Sequence, residues 1–311
     1  MAASAGPGDS RPEHRFTRVA LGGRPLRLHA AWCGPGAEPP KPLVLLHGMA
    51  SSWRQWRTTM LRLAGREGGG VPTAALDLPG FGDSGQPRRP LGVDDYVAAC
   101  EAWAEACGLG RIAAAGHSFG GAVLVRWAGL HPERFRSLGL LAPASLPHPW
   151  HTAGSGLIRW PVLGRLVAPA FLWLASTYRY GTRFFGHVAA DFSTIRREEY
   201  PDLQWGARHA REMLRALDYY EFPTLVQDLG AITAPVRIGW GTLDRVVPCT
   251  DAAVFTRCLP HAALELWEGC GHVPMLERRA ECDALLHAVW SDRGSRPVAV
   301  GSGADARNPS W

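Results

Sequence analysis

The sequence of 311 residues contains a single lysine, Lys41, so nearly all of its positive charge is carried by arginine. Lysine and arginine together number 33 against 28 aspartates and glutamates, and the arginines are scattered along the chain. A surface that binds nucleic acid needs basic residues clustered on one face or along one helix. We therefore expect no nucleic-acid partner.

Paired cysteine motifs are also missing. The seven cysteines are an odd number, contain no Cys-x-x-Cys pair and have no zinc-ligand spacing with histidine. We therefore expect neither a disulfide scaffold nor a metal site, and the sequence indicates no cofactor. Reduced thiols are typical of a cytoplasmic protein.

Long hydrophobic runs are absent too. The first fourteen residues lack the apolar core of a secretory signal, and the most apolar stretch, 157–176, is interrupted by two arginines and two prolines. A membrane-spanning helix needs about 20 predominantly apolar residues in succession. These features predict a cytoplasmic protein with no membrane span.

Short apolar runs alternate with longer amphipathic stretches, the pattern of a parallel sheet with helices on both faces. The predicted strands are 26–32, 42–46, 73–78, 112–116, 137–141, 236–241 and 262–267. The predicted helices are 52–63, 93–107, 120–131, 249–259 and 280–291. The sequence therefore predicts the α/β class.

The alternation stops between 144 and 230, where fourteen aromatic residues occur without a strand pattern. We interpret 145–230 as a helical insertion and 15–144 with 231–293 as the core into which it is inserted. The ends, 1–14 and 294–311, are poor in periodic apolar residues and are predicted to be flexible tails.

The sharpest motif is Gly-His-Ser-Phe-Gly at 116–120, which follows an apolar strand and opens an amphipathic helix. In this context G-x-S-x-G forms a tight strand-to-helix turn that presents the serine hydroxyl at the carboxyl edge of the sheet. The glycines remove Cβ atoms that would clash at such a turn. Ser118 is therefore the candidate nucleophile, and His117 beside it is predicted to pack or hydrogen-bond instead of acting as the base.

A serine nucleophile needs a general base and a carboxylate that orients it. Asp244 follows the strand predicted at 236–241, and His272 follows the strand predicted at 262–267. Parallel strands end at one edge, so both side chains are expected near Ser118, and Ser-Asp-His is a known triad order. Asp251, the competing carboxylate, is predicted to be a surface charge.

Together these motifs resemble the α/β-hydrolase superfamily, in its lid-bearing branch of esterases and epoxide-hydrolase-like proteins. Leu-Leu-His-Gly-Met at 45–49 and Asp-Leu-Pro-Gly-Phe-Gly-Asp-Ser-Gly at 77–85 complete the resemblance, which covers about 15–293. It implies a mostly parallel sheet flanked by helices, with a helical cap inserted after the sixth strand. It also implies an oxyanion hole made by the backbone N–H groups of Met49 and Phe119, where negative charge develops during acyl transfer.

A serine at 118 favours attack on a carbonyl, since the dehalogenases and epoxide hydrolases of this fold use a carboxylate nucleophile. The leading prediction is a hydrolase that cleaves a small lipophilic ester or thioester through an acyl-enzyme on Ser118. Trp53, Trp150 and Tyr178 are the candidate substrate contacts. Two alternatives stay open: a biosynthetic acyltransferase, eliminase or cyclase that uses the same triad, and a ligand-binding protein without catalysis.

Overall fold

The apolar runs of the sequence form one eight-stranded sheet in the computed structural model, which describes residues 11–35, 41–49, 51–65, 70–89, 91–144, 146, 189–190 and 222–292. All seven predicted strands are confirmed, with ends that move by two residues at most. The strands are β1 Glu13–Leu21, β2 Arg24–Cys33, β3 Leu43–Leu46, β4 Thr73–Leu76, β5 Ile112–His117, β6 Phe135–Leu141, β7 Val236–Gly241 and β8 Ala263–Trp267.

The five predicted helices are confirmed as well, although those predicted at 52–63 and 249–259 each begin with a 3₁₀ turn, Trp53–Trp56 and Cys249–Asp251. The α-helices of the described residues are α1 Arg57–Ala64, α2 Val93–Ala106, α3 Phe119–Leu130, α4 Phe222–Ala231, α5 Ala252–Cys258, α6 Pro274–Glu277 and α7 Arg279–Ser291. Helices α4 and α6 were not predicted. Among the helices that the structure describes, none is long and apolar enough to cross a membrane.

The central strands of the sheet are buried on both faces. All four residues of β3 are fully buried, as expected of a central parallel strand covered on both sides. Leu43 and Leu45 belong to a cluster that includes residues of α1 and α7, whereas Val44 and Leu46 belong to a second cluster with α2, α3 and α5. Because side chains alternate along a strand, these two clusters are the two helical layers of the core.

The strand order is β1-β2-β4-β3-β5-β6-β7-β8, with β1–β2 and β2–β4 antiparallel and every other pair parallel. The parallel strands end together: Leu46 of β3 is level with Leu76 of β4 and Gly116 of β5, and Gly241 of β7 is level with Trp267 of β8. The loops that carry the sequence motifs therefore leave the sheet at one edge.

The N-terminal boundary of the core differs from the prediction. β1 begins at Glu13, so the last two residues of the predicted tail, 1–14, belong to the sheet, where His14 lies 2.9 Å from His29. β1 escaped prediction because most of its side chains are exposed and polar. Its stability comes from a nine-residue antiparallel ladder with β2. Residues 1–10 and 293–311 lie outside the described part of the chain.

Most of the predicted cap lies outside the described residues, so the cap stays a prediction. The exception is its end, where α4 packs on the core. Leu225 and Leu229 of α4 are fully buried in the same cluster as α3, and Asp228 accepts a 2.8 Å hydrogen bond from Arg126 of α3. Helix α4 therefore belongs with the core layers although it falls within the predicted insertion of 145–230.

Candidate active site

Ser118 is the single residue between β5 and α3, and its backbone is in an unusual conformation. Its φ is +51° and its ψ is −119°, in the half of conformational space that favours glycine. Holding a serine there costs of order 1–3 kcal/mol and requires support from the surrounding structure. The support comes from backbone hydrogen bonds: the Ser118 N–H donates to the Leu141 carbonyl, and the Ser118 carbonyl accepts from the N–H groups of Ala122 and Ala144.

The glycines on either side of Ser118 allow the turn to pack tightly. A Cβ atom on Gly116 would lie 2.5 Å from the carbonyl oxygen of Gly120. A Cβ atom on Gly120 would lie 2.4 Å from the carbonyl oxygen of His47, at the end of β3. Both distances are far inside van der Waals contact, so the turn can approach the neighbouring strand only with glycine at these positions, as the motif predicts.

Asp244 and His272 come together at the same edge of the sheet. Asp244 lies in the loop after β7 and His272 in the loop after β8, and the Asp244 Oδ2 atom lies 2.7 Å from the His272 Nδ1 atom. Both side chains are buried. An ionised carboxylate only accepts hydrogen bonds, so Nδ1 of His272 carries the hydrogen and Nε2 is the ring atom that can accept a proton.

The second oxygen of Asp244 is held by its own loop. Oδ1 accepts hydrogen bonds from the backbone N–H groups of Val246 and Val247, at 2.8 and 2.9 Å. These contacts fix the rotation of the carboxylate before it meets His272. The structure therefore brings the Asp244 carboxylate and the His272 ring together, and their roles as orienting acid and general base stay a prediction.

His117 connects the serine turn to the histidine loop. Its Nε2 atom donates to the main-chain carbonyl of His272 at 2.6 Å, and its Nδ1 atom accepts from Nε2 of Gln55 at 2.9 Å. The two imidazole rings lie 4.7 Å apart. Burial, and secondarily the neighbouring His272, lowers the pKa of His117 well below its ordinary value. His117 is therefore a neutral hydrogen-bonding group, in agreement with the role predicted for it.

The two residues predicted to supply the oxyanion hole follow neighbouring strands, Met49 after β3 and Phe119 after β5. Phe119 is the first residue of α3, where backbone N–H groups have no partner within the helix and carry the positive end of its dipole. Met49 follows β3 in the loop that begins with His47 and Gly48. The structure thus positions both residues at the carboxyl edge, and their role as donors to an oxyanion stays a prediction.

His47 holds the loop that contains Met49. Its Nδ1–H group donates to the carbonyl of Gly48 at 2.7 Å, and its Nε2 atom accepts from the backbone N–H of Leu78 at 3.1 Å. His47 is fully buried, and burial lowers its pKa. A neutral His47 therefore ties the loop after β3 to the loop after β4.

Of the three predicted substrate contacts, Trp53 lies within the described residues, whereas Trp150 and Tyr178 lie outside them. Trp53 opens the 3₁₀ turn before α1 and is 5% exposed. Its backbone N–H donates to Oδ1 of Asp77 at 2.6 Å, and its ring packs edge-on against His14 at 5.0 Å. These contacts anchor Trp53 to the core, and its contact with a substrate stays a prediction.

A cluster with metal-ligand chemistry occurs beside Trp53. His29, Asp77 and Asp83 bring one ligand atom each to within 4.8 Å of one another. The Asp77 carboxylate is already occupied: Oδ2 lies 2.7 Å from Nδ1 of His29 and accepts from the N–H of Asp83, while Oδ1 accepts from the N–H of Trp53. The protein's own donors therefore satisfy this carboxylate, which organises the loop after β4.

The sequence prediction was wrong for Asp251 and did not identify Gln55. Asp251 was predicted to be a surface charge, which is wrong: it ends the 3₁₀ turn before α5 and is 4% exposed. Its position within a predicted helix did not reveal which face was covered. Gln55 escaped prediction because its partners, Gly48 and His117, lie 7 and 62 residues away, and no local motif marks it.

Residues 43–285 match the Alpha/beta hydrolase family. The chain belongs to this family. It is 26% identical, over 88% of its own length and 93% of the relative, to a 2-hydroxy-6-oxononadienedioate/2-hydroxy-6-oxononatrienedioate hydrolase of Klebsiella pneumoniae. The match with the family confirms the resemblance to the α/β-hydrolase superfamily drawn from the motifs.

Solved structures give the same fold. A membrane phospholipase A described as a bacterial virulence factor aligns with a TM-score of 0.65 and 26% identity. The alignment covers 89% of the present chain and 86% of the phospholipase. An esterase of Exiguobacterium antarcticum aligns with a TM-score of 0.70 and 18% identity, and the alignment covers 88% of this chain and 99% of the esterase. The second likeness shows the fold alone.

Proposed function

We propose that this protein is a serine hydrolase that cleaves a carboxylic ester or thioester carrying a lipophilic group. The observation that carries the proposal is the 2.7 Å hydrogen bond between Asp244 and His272, made at the sheet edge where Ser118 occupies a strained turn. A glycine would adopt this backbone conformation without strain, and strained residues other than glycine concentrate at functional sites. We therefore assign the three residues to one catalytic triad.

In the proposed acylation step, the Oγ atom of Ser118 attacks the substrate carbonyl carbon while Nε2 of His272 takes the hydroxyl proton. The carbonyl oxygen becomes an oxyanion, which accepts hydrogen bonds from the N–H groups of Met49 and Phe119. Collapse of this tetrahedral intermediate breaks the ester or thioester bond. His272 returns the proton to the departing alkoxide or thiolate, which leaves as an alcohol or thiol, and the acyl group remains on Ser118.

In the proposed deacylation step, water replaces the alcohol. His272 takes one proton from the water as its oxygen attacks the acyl carbon, and it gives that proton to Oγ of Ser118 when the acid leaves. The sum is one ester and one water converted to one acid and one alcohol. Asp244 stays ionised throughout and stabilises the imidazolium that forms in each half-reaction.

The experiment that tests this proposal compares wild type with Ser118→Ala. A fluorophosphonate probe should label the wild type once and leave Ser118→Ala unlabelled, and p-nitrophenyl esters should be hydrolysed only by the wild type. Ser137→Ala is the matched control: Ser137 lies near the start of β6, at the opposite end of the strands from Ser118, and its hydroxyl donates to the Val289 carbonyl of α7. Labelling that survives in Ser118→Ala overturns the assignment, and a wild type that is neither labelled nor active supports a ligand-binding protein instead.

The lipophilic part of the proposal rests on the aromatic composition of the predicted insertion, 145–230, and on the similarity to an enzyme named a phospholipase. If Trp150 or Tyr178 contacts the acyl chain, replacing it with alanine should change kcat/KM for the preferred chain length by about ten- to two-hundredfold. Acetyl esters should be affected little. An equal loss for short and long esters would instead assign the ring to the fold.

A second candidate reaction is favoured by the 26% identity with the Klebsiella hydrolase: cleavage of a 2-hydroxy-6-oxo acid of the kind in that relative's name. The same serine and histidine would serve it. Turnover of such an acid by wild type, compared with turnover of p-nitrophenyl esters, separates the two candidates. Formation of a new ester when an alcohol is added would instead assign the acyl group to transfer.

A further inference from the structure

We propose that Gln55 and His117 are positioning residues that hold the catalytic base and the oxyanion loop in register. This inference rests on the proposed function, because it assigns catalytic roles to His272 and Met49. It adds two residues that lie outside the triad and the oxyanion hole. We call the chain of hydrogen bonds that they form the Gln55–His117 bridge.

The bridge consists of three consecutive hydrogen bonds. The backbone N–H of Gly48 donates to Oε1 of Gln55 at 3.1 Å, and Nε2 of Gln55 donates to Nδ1 of His117 at 2.9 Å. Nε2 of His117 then donates to the main-chain carbonyl of His272 at 2.6 Å. Gln55 is 3% exposed and His117 4%, so water does not compete for these bonds.

The direction of every bond in the bridge is determined. The Gly48 N–H can only donate, so it requires the oxygen of the Gln55 amide, which turns the amide nitrogen toward His117. Nδ1 of His117 must then accept and carry no hydrogen, and Nε2–H is left to meet the His272 carbonyl. A protonated His117 would set two donors against each other, so the bridge is complete only with the neutral ring.

The bridge connects three loops that each carry a proposed catalytic group. Gly48 precedes Met49, His117 precedes Ser118, and the last acceptor is the backbone of His272 itself. A Cβ atom on Gly48 would lie 2.9 Å from Nδ1 of His117, so the oxyanion loop packs directly on the imidazole ring. A shift in any one of these loops is therefore transmitted to the other two. Displacing a reacting group by about 1 Å can cost a hundredfold in rate.

Two substitutions at His117 separate the ends of the bridge. His117→Asn keeps an oxygen near the Nδ1 position, where it can accept from Gln55, but it is too short to reach the His272 carbonyl. His117→Gln places an amide nitrogen near the Nε2 position, where it can donate to that carbonyl. Gln55→Met removes both polar ends of Gln55 at nearly constant length. Each variant is compared with wild type for kcat, KM, the pH profile of kcat/KM and the melting temperature.

We expect kcat to fall by about tenfold to a hundredfold in His117→Asn and Gln55→Met, with KM little changed, because the bridge does not touch the substrate. His117→Gln should lose less kcat than His117→Asn, because its amide nitrogen restores the donor to the His272 carbonyl but leaves the Gln55 amide without its acceptor. The midpoint of the pH profile should stay the same in all three, since the bridge carries no charge. Equal losses in the two His117 variants, or wild-type kcat in folded His117→Asn and Gln55→Met, would overturn the proposal. If both His117 variants lose the acidic limb of the pH profile of kcat/KM, His117 is the base. That result would also overturn the proposal.

Amide hydrogen exchange tests the bridge without any substrate. The Gly48 N–H should be strongly protected in wild type and should exchange much faster in folded Gln55→Met. Fast exchange in wild type would overturn the bridge even if the ester assay succeeds. Protection in wild type without any hydrolysis or fluorophosphonate labelling would instead refute the proposed function and leave the bridge in place.

Discussion

Replacing Asp244 with asparagine tests the proposed triad at a hydrogen bond whose geometry is known on both sides. Oδ1 of Asp244 accepts from the N–H groups of Val246 and Val247, and Oδ2 faces Nδ1 of His272. Asparagine has only one oxygen, and the two backbone donors will hold it at the Oδ1 position. The amide NH₂ then faces His272 and donates to Nδ1. His272 must then carry its hydrogen on Nε2. A protonated Nε2 atom cannot accept the proton of Ser118.

The size of the effect follows from the cost of turning that amide around. The productive arrangement needs the oxygen toward His272, which places the NH₂ group against the N–H groups of Val246 and Val247. Each buried donor left without an acceptor costs about 1–3 kcal/mol, or about 2–6 kcal/mol for the pair. Since about 1.4 kcal/mol is a factor of ten, kcat should fall by about 30-fold to 10⁴-fold. The corresponding change in serine proteases costs about 10⁴.

The assay is steady-state hydrolysis of a p-nitrophenyl ester at pH 8, with fluorophosphonate labelling to count competent sites. Asp251→Asn is the matched control, because it makes the same chemical change at another buried carboxylate seven residues along the chain. Its kcat should stay near the wild-type value. If Asp244→Asn keeps wild-type kcat while Asp251→Asn loses it, Asp251 is the acid of the triad and the reasoning from the Asp244 loop is wrong.

Two further predictions concern stability. His47 and His117 have pKa values below their ordinary value because they are buried, so the unfolded chain takes up protons first as the pH falls below about 6.5. The free energy of unfolding should therefore drop on acidification by up to about 1.4 kcal/mol per pH unit for each histidine. Urea titrations at pH 7, 6 and 5 measure this drop. It should be smaller in His117→Gln than in wild type, because the variant lacks one of the two buried histidines. Separately, Arg126→Met removes the ion pair to the buried Asp228 and should lower the free energy of unfolding by about 3 kcal/mol, whereas Asp94→Asn, at the exposed partner, should cost about 0–1 kcal/mol. Equal losses in those two variants would contradict the burial argument.

The parts of the site that could be predicted from the sequence are those that follow an apolar strand of the parallel sheet. Ser118, Asp244 and His272 each come within a few residues of an apolar run, and parallel strands deliver their following loops to one edge. The spacing of the apolar runs therefore predicts the position of the site as well as the fold. The contact of Asp244 with His272, which are 28 residues apart, was predictable for this reason.

The elements that escaped prediction lack such a run. β1 has one buried residue, Val19, among nine, and it is a strand because its backbone pairs with β2. α4 buries Leu225 and Leu229 four residues apart, which is a helical spacing. It stands directly after a stretch dense in aromatic residues and was included with that stretch in the predicted insertion, although Phe222 is its only aromatic residue. In both cases the partner surface, and not the local pattern, determines what the segment does.

The Gln55–His117 bridge belongs to a third kind of feature, whose residue types are visible in the sequence but whose connections are not. His117 occupies the variable position of G-x-S-x-G, so the motif accounts for its neighbours and leaves its own side chain unexplained. The ring reaches the His272 carbonyl across 155 residues of chain because β5 and the loop after β8 end at the same edge. Turn geometry restricts positions 116, 118 and 120 through sterics that act within a few residues. Position 117 is restricted instead by a hydrogen-bond donor and an acceptor on two other loops, and only the folded chain brings these within reach.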